Sequence, residues 1–232
     1  MRDEEKTSSA LTDLPTHPSS LIPHPSHVAA IVLAAGRSRR MGAFKPLLPF
    51  GEKTVIESCI DSLLGAGVEE VVVVVGHHAE ELRARLSRLP VRFASNEEAG
   101  SEMGASIARG VEQVSGGMTA LLVALADHPA VTPDVIRFLI ERREEAGARF
   151  VVPAWRGRGG HPVLVDLAYR GELSHLDAGR GLRGLMEAHA GEVSRVEVEC
   201  PYVACDMDTW EDYRALHLEV FGVPPPLENP GS

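Results

Sequence analysis

The chain alternates short apolar runs with stretches in which apolar residues recur at helical spacing. VAAIVLA, starting at Val28, contains no polar position. A run this short, followed at once by a Gly-containing loop, predicts a strand buried on both faces. TVIESCIDSLLGAG then places Val55, Ile56, Cys59, Ile60, Leu63 and Leu64 on one face of a helix that Gly65 and Gly67 can end. EEVVVVVG predicts a second strand, HHAEELRARLSRL a helix, VRFASN a short strand, and EMGASIARGVEQV a helix. MTALLVALAD predicts a third long strand and TPDVIRFLIERREEAG the helix after it. Such alternation with right-handed crossovers implies an α/β, Rossmann-like, doubly wound and mostly parallel sheet. After Phe150 the rhythm changes. FVVPAW, a Gly/Arg-rich loop and HPVLV predict two strands joined by a hairpin, an antiparallel excursion from the parallel sheet.

The ends read differently. Residues 1–26 are acidic and then Ser/Pro-rich, without the basic flank and apolar centre of a signal peptide, and predict a disordered N-terminal extension. Residues 224–232 predict a disordered tail, which leaves 27–223 as one domain. No stretch approaches the about 20 apolar residues that cross a bilayer, so no membrane association is expected. The formal net charge of -10 argues against nucleic acid as a partner. The three cysteines, Cys59, Cys200 and Cys205, form no disulfide framework, and CPYVAC has no His/Cys cluster beside it to complete a zinc site. A reducing, cytoplasmic location fits best.

Against that acidic background, LAAGRSRRMGAFK concentrates Arg37, Arg39, Arg40 and Lys45 directly after the first strand. Ligands of open α/β sheets sit at the carboxyl ends of strands. Gly36 and Gly42 permit a backbone whose successive N–H groups aim at one point, an anion cradle to which Arg40 and Lys45 add full charges. The spacing is neither that of a P-loop nor GxGxxG. LADHP ends the third long strand, where the Asp127 carboxylate can hold a divalent cation or cap the turn before Pro129. His77 and His78 are adjacent in a strand-end turn, where two rings seldom converge on a metal, and are read as structural. In CDMDTWEDY, Asp208 reads as the cap of a last helix with an acidic first turn.

GRSRRMGAFK resembles the GxSxRMGxxK signature of the nucleotidyltransferases that make molybdenum cofactor dinucleotides, the molybdenum cofactor cytidylyltransferase family. LADHP resembles the family's LADQP, with His128 in place of Gln. ASNEEAGSEMGASIARG matches its segment along the base at Asn96, Met103 and Ser106, with Glu102 where a Gly is common. RGRGGHPVLV resembles its pterin-facing GHPV motif, and DMDTWEDY its D-[IV]-D-T-x-E-D segment. LDAGRGLRGLM aligns more loosely, through either Arg180 or Arg183. The resemblance covers Val28 to Leu216.

The resemblance implies the fold of nucleotide-diphospho-sugar transferases and a nucleotidyl transfer from CTP to molybdenum-molybdopterin, with pyrophosphate released. It implies Lys45, Arg40 and Asp127 as catalytic residues. It implies Leu33, Ala34, Ala35, Gly36, Ser38, Gly42, Asn96, Met103 and Ser106 at the nucleotide, and Arg158, His161 and Pro162 at the acceptor. Asp127 and Asp206 would hold Mg2+, and a xanthine-dehydrogenase-type molybdoenzyme would be a transient partner. Guanylyl members tend to read LAGG where this chain reads LAAG. The Ala35 methyl would crowd a purine more than a pyrimidine, hence CTP over GTP. Two alternatives remain at this point: the same chemistry on another nucleotide or small phosphate, and a non-catalytic nucleotide or cofactor carrier.

Overall fold

A computed structural model describes residues 27–36, 41–97 and 102–227. The first strand, β1 (Val28–Leu33), is followed by a loop, a single 3-10 turn at Lys45–Leu47, and a small antiparallel pair, β2 (Pro49–Phe50) and β3 (Lys53–Thr54). Helix α1 (Val55–Gly65) starts at Thr54, whose side chain and that of Glu57 form a reciprocal capping box. Then come β4 (Glu70–Val75), α2 (Ala79–Arg85), β5 (Val91–Ser95), α3 (Met103–Gln113), β6 (Ala120–Leu125) and α4 (Pro133–Ala146). The last third holds β7 (Phe150–Trp155), β8 (Arg158–Gly159), β9 (Val163–Asp166), α5 (Arg170–Leu173), α6 (Gly181–Ala188), β10 (Val193–Glu197) and α7 (Trp210–Phe221).

The main sheet has the order β10-β7-β9-β6-β1-β4-β5, with β8 paired to β7 alone. β6, β1, β4 and β5 are parallel. β9 runs antiparallel between β6 and β7, and β10 runs parallel to β7. This is the expected parallel sheet with its antiparallel excursion. The two expected strands after Phe150 are antiparallel neighbours, but the turn between them makes a separate short hairpin with β8.

Because side chains alternate across a strand, each apolar strand feeds two cores. Val28, Ala30 and Val32 pack with Ile56 and Ile60 of α1 and Ile136 and Leu139 of α4. Ala29 and Ile31 pack on the other face with Ile107 and Val111 of α3 and Leu182 and Leu185 of α6. A third cluster, Met41, Leu48, Phe50, Val55, Met207 and Tyr213, docks α7 against the segment after β1. Two hydrogen bonds lock it: Trp210 Nε1 donates to the Met41 carbonyl at 2.9 Å, and the Tyr213 hydroxyl to the Pro49 carbonyl at 2.6 Å. This docking brings the segment holding Lys45 to the start of α7. Among the described residues no helix is long and apolar enough to cross a membrane. Cys59, Cys200 and Cys205 are free thiols.

Asp166, at the end of β9, is a buried carboxylate. It accepts from Arg143 at 2.8 Å, Arg149 at 2.9 Å and the Ala168 N–H at 2.8 Å. Burial by itself would raise its pKa, but the Ala168 N–H and the two guanidinium groups outweigh that, and the net displacement is downward. A depressed folded-state pKa gives stability that is present above the unfolded value, near 3.9, and lost as pH falls through the folded one. Asp166→Asn is therefore expected to destabilise the fold by about 1–3 kcal/mol at neutral pH. Denaturant melts of both proteins should converge below about pH 4. A gap that persists unchanged at pH 3 would show that the charge is not its source.

Candidate active site

The carboxyl ends of the parallel strands open onto a cavity of about 300 Å³. β1 and its continuation supply Leu33, Ala34, Ala35 and Gly36; the 3-10 turn supplies Lys45 and Pro46; α3 supplies Met103 and Ser106; β6 and its continuation supply Leu125, Ala126 and Asp127. Eight of these were anticipated at the nucleotide or among the catalytic residues: Leu33, Ala34, Ala35, Gly36, Met103, Ser106, Lys45 and Asp127. Ser38 and Arg40 lie outside the described residues. Gly42 adopts a positive φ of 64°, which glycine tolerates and which turns the chain back towards the 3-10 turn. Asn96 does not line this cavity. It is buried behind it and donates from Nδ2 to Ser106 Oγ at 2.8 Å, fixing a residue that does.

Lys45 stands in the wall of the cavity with only 8% of its surface exposed. Its Nζ donates to Asp127 Oδ2 at 3.3 Å and to Asp208 Oδ1 at 2.8 Å. Asp208 is thus not the cap of α7. Thr209 caps that helix, with Asp212 completing the box, and Asp208 is left to face Lys45. The aspartate expected to pair with Asp127 around a metal, Asp206, is more exposed and points to His128, its Oδ1 3.6 Å from Nε2. Asp127 Oδ1 is 4.0 Å from the same nitrogen.

His128 is buried under the 3-10 turn Pro201–Ala204, with Nδ1 3.1 Å from the Tyr202 carbonyl. The next carbonyl of that turn, Val203, accepts from the His161 N–H at 2.8 Å. The approach is so close that a Cβ on Gly160 would lie 1.9 Å from the Val203 oxygen, so only glycine fits there. Cys59 lies beneath the same region. Burial first, and the Asp127 carboxylate second, push its thiol up to about 12, which keeps it an inert core group. His78 stacks on Phe44, next to Lys45, with ring centroids 4.1 Å apart, in keeping with a structural part for the His pair.

A second cavity of about 480 Å³ adjoins the first and shares Met103 with it. His161 lines it, with Arg180, Arg183 and Arg195 as its cations. His161 Nδ1 faces the Val123 carbonyl at 3.2 Å; burial lowers its pKa, against the pull of that hydrogen bond, and favours the neutral ring. Pro162 is buried behind a cis peptide bond. Arg158 sits in exposed β8 and does not line this cavity; Arg195, from β10, does. Neither the alternation nor the motifs pointed to Arg195, because β10 is a short half-exposed strand without an apolar run.

Among the described residues, no three His, Cys, Asp or Glu side chains are gathered closely enough to cage a metal ion. A phosphate-bound Mg2+ needs no cage, since one or two carboxylates with water and phosphate oxygens suffice. Asp127 and Asp206, both facing the orphaned His128 Nε2, fit that requirement.

Comparison with known proteins agrees with this architecture. The model of the MobA-like NTP transferase domain matches residues 30–193. A relative from Paenarthrobacter nicotinovorans, nicotine blue oxidoreductase, is 30% identical over 200 residues, covering 82% of this chain and 96% of its own. The crystal structure of Rv0371c from Mycobacterium tuberculosis H37Rv is 29% identical with a TM-score of 0.73, covering 82% of this chain and 96% of that one. A nucleotidyl transferase from Methanothermobacter thermautotroptrophicus is 29% identical with a TM-score of 0.71, covering 83% and 98%. With the family match running from the first strand to the last, the chain belongs to the MobA-like NTP transferases.

Proposed function

We propose that this nucleotidyltransferase joins CMP from CTP to a molybdopterin-type cofactor and releases pyrophosphate. The observation that carries the reading is the meeting of Lys45 and Asp127 at one wall of a cavity that adjoins a second, arginine-lined one. In the reaction an acceptor phosphate oxygen attacks the α-phosphorus of the triphosphate. One P–O bond forms, and the bond to the β-phosphate oxygen breaks. A phosphate monoester is already nucleophilic, so no strong general base is needed. The work left to the protein is alignment and charge neutralisation.

The residues divide that work. Lys45 neutralises charge on the reacting phosphates, a task that the resembling motif also gives to Arg40. Asp127 and Asp206 are the residues that would hold Mg2+, which when bound supplies positive charge to the phosphate oxygens. Asn96 keeps Ser106 at the nucleotide, and Met103 stands between the two cavities. Arg180, Arg183 and Arg195 suit an anionic acceptor, since guanidinium groups pair well with phosphate. A molybdoenzyme that receives the product would be a transient partner, and a cytoplasmic location follows from that role.

Base choice rests on Ala35. It lines the cavity at the end of β1, next to Gly76, whose lack of a Cβ leaves room for Ala35 at that position. From there the methyl would crowd a purine more than a pyrimidine. One methyl-sized crowding is worth about 1–3 kcal/mol. Competition kinetics should give a higher kcat/KM for CTP than for GTP, and Ala35→Gly should move the ratio towards GTP. A GTP value equal to or above that for CTP would sink the assignment. The name of the relative from Paenarthrobacter nicotinovorans carries a redox activity. Redox turnover without pyrophosphate release would favour that second reading.

A further inference from the structure

The three arginines of the second cavity are not equivalent. Arg180 and Arg183 both pair with Glu187: Arg183 Nε donates to its Oε1 at 3.1 Å, and Arg180 Nη2 to its Oε2. Two guanidinium groups thus share one carboxylate. Arg195 comes from β10, and among the described residues it makes no hydrogen bond and no ion pair. Its register partner on β7, Val152, lines the same cavity. Its guanidinium lies over Gly159, where a Cβ would stand 2.8 Å from Nη1. Gly159 is not one of the glycines with a positive φ, so its backbone does not demand glycine. What the missing side chain provides is room for the guanidinium. Arg195 therefore presents its planar set of donors uncommitted to the cavity.

Its place in the sheet decides what it can meet. Lys45 and Asp127 line the first cavity and not the second, whereas Arg195 lines the second and not the first. β10 stands three places from β6 in the sheet, about 14 Å at ordinary strand spacing. A phosphate reacting beside Lys45 and Asp127 is not the group that Arg195 contacts. We infer that the acceptor carries a second anionic group, at the end remote from its reacting phosphate, and that Arg195 is the residue that selects for it. Arg180 and Arg183, partly neutralised by Glu187, add positive field, and Arg195 makes the direct contact. A phosphate without the far group gains nothing from Arg195. The inference rests on the acceptor reading of this cavity and specifies which feature of the acceptor is recognised there.

The test uses the full chain without nucleotide, so it does not depend on the transfer reaction. Phenyl phosphate and its 3- and 4-carboxy derivatives are titrated calorimetrically into the wild type, Arg195→Ala and Gly159→Ala. In the wild type a carboxy derivative should bind about 10–100-fold more tightly than phenyl phosphate, the scale of one hydrogen-bonded charge contact. Arg195→Ala should erase that gain; Arg195 is exposed, so its removal leaves no gap in the core. Gly159→Ala, whose methyl would crowd Nη1, should reduce the gain with Arg195 still present. Arg195→Lys should restore only part of it, since an ammonium lacks the planar fork. Equal gains in the wild type and Arg195→Ala would overturn the proposal, and so would the absence of any gain in the wild type. With CTP and molybdenum-molybdopterin present, Arg195→Ala should raise the acceptor KM by a similar factor, the CTP KM serving as internal control. An unchanged acceptor KM in a turning-over variant would also overturn it. A chain that shows the Arg195-dependent gain yet makes no dinucleotide would refute the proposed reaction and not this contact.

Discussion

Lys45→Ala is expected to lower turnover by about 10²–10³-fold, the scale of losing one preorganised charge contact to a developing oxyanion, about 3 kcal/mol. The ammonium lies within 3.3 Å of Asp127 and 2.8 Å of Asp208, in the wall of the cavity at the end of β1. Removing it does two things. It withdraws the positive charge from the phosphates, and it leaves two carboxylates facing each other without their shared cation. The second effect should lower stability, so thermal melts must accompany the kinetics. The first should appear chiefly in kcat, because charge develops on the leaving pyrophosphate as the bond to the α-phosphorus breaks. Near-normal kcat in a folded Lys45→Ala protein would remove Lys45 from the mechanism.

Asp127→Asn should abolish the metal-dependent reaction, a loss of about a hundredfold or more. The amide keeps the shape but not the charge that a hard cation requires. It also weakens the hold on Lys45, since Oδ2 is one of its two acceptors. Asp206→Asn should raise the metal concentration needed for half-maximal rate while leaving the Lys45 contacts in place. Asp208→Asn should act through Lys45 instead, lowering kcat with little change in metal requirement. The pair of aspartates thus separates by readout. If Asp206→Asn is silent and Asp208→Asn shifts the metal titration, the second ligand is Asp208.

Strands β1, β4 and β6 were legible because each is an apolar run of about six residues, and the loop after β1 because it gathers glycines and cations at a strand end. Lys45 and Asp127 were legible for the same reason: parallel strands β1 and β6 are neighbours, so their carboxyl ends must share a site. Asp208 was misread because DTWED satisfies helix-capping chemistry locally, whereas its contact with Lys45 spans 163 residues and depends on α7 docking through Trp210 and Tyr213. Helix α2 stops at Arg85, short of the expected SRL, which continues as turns before Pro90 although Leu86 stays buried in the core. The orientation of His128 had no local signal, being set by a carbonyl 74 positions away. Arg195 was invisible for a related reason: parallel pairing with β7, and not its own pattern, makes β10 a strand.

The reaction itself is tested most directly by supplying purified protein with CTP, Mg2+ and molybdenum-molybdopterin, and counting both products. The account predicts pyrophosphate and the cytosine dinucleotide in equal amounts, both absent without acceptor and both lost in Asp127→Asn. Pyrophosphate release that fails with this acceptor but proceeds with a different phosphate would contradict the assigned acceptor, and no release with any nucleotide would contradict nucleotidyl transfer by this chain.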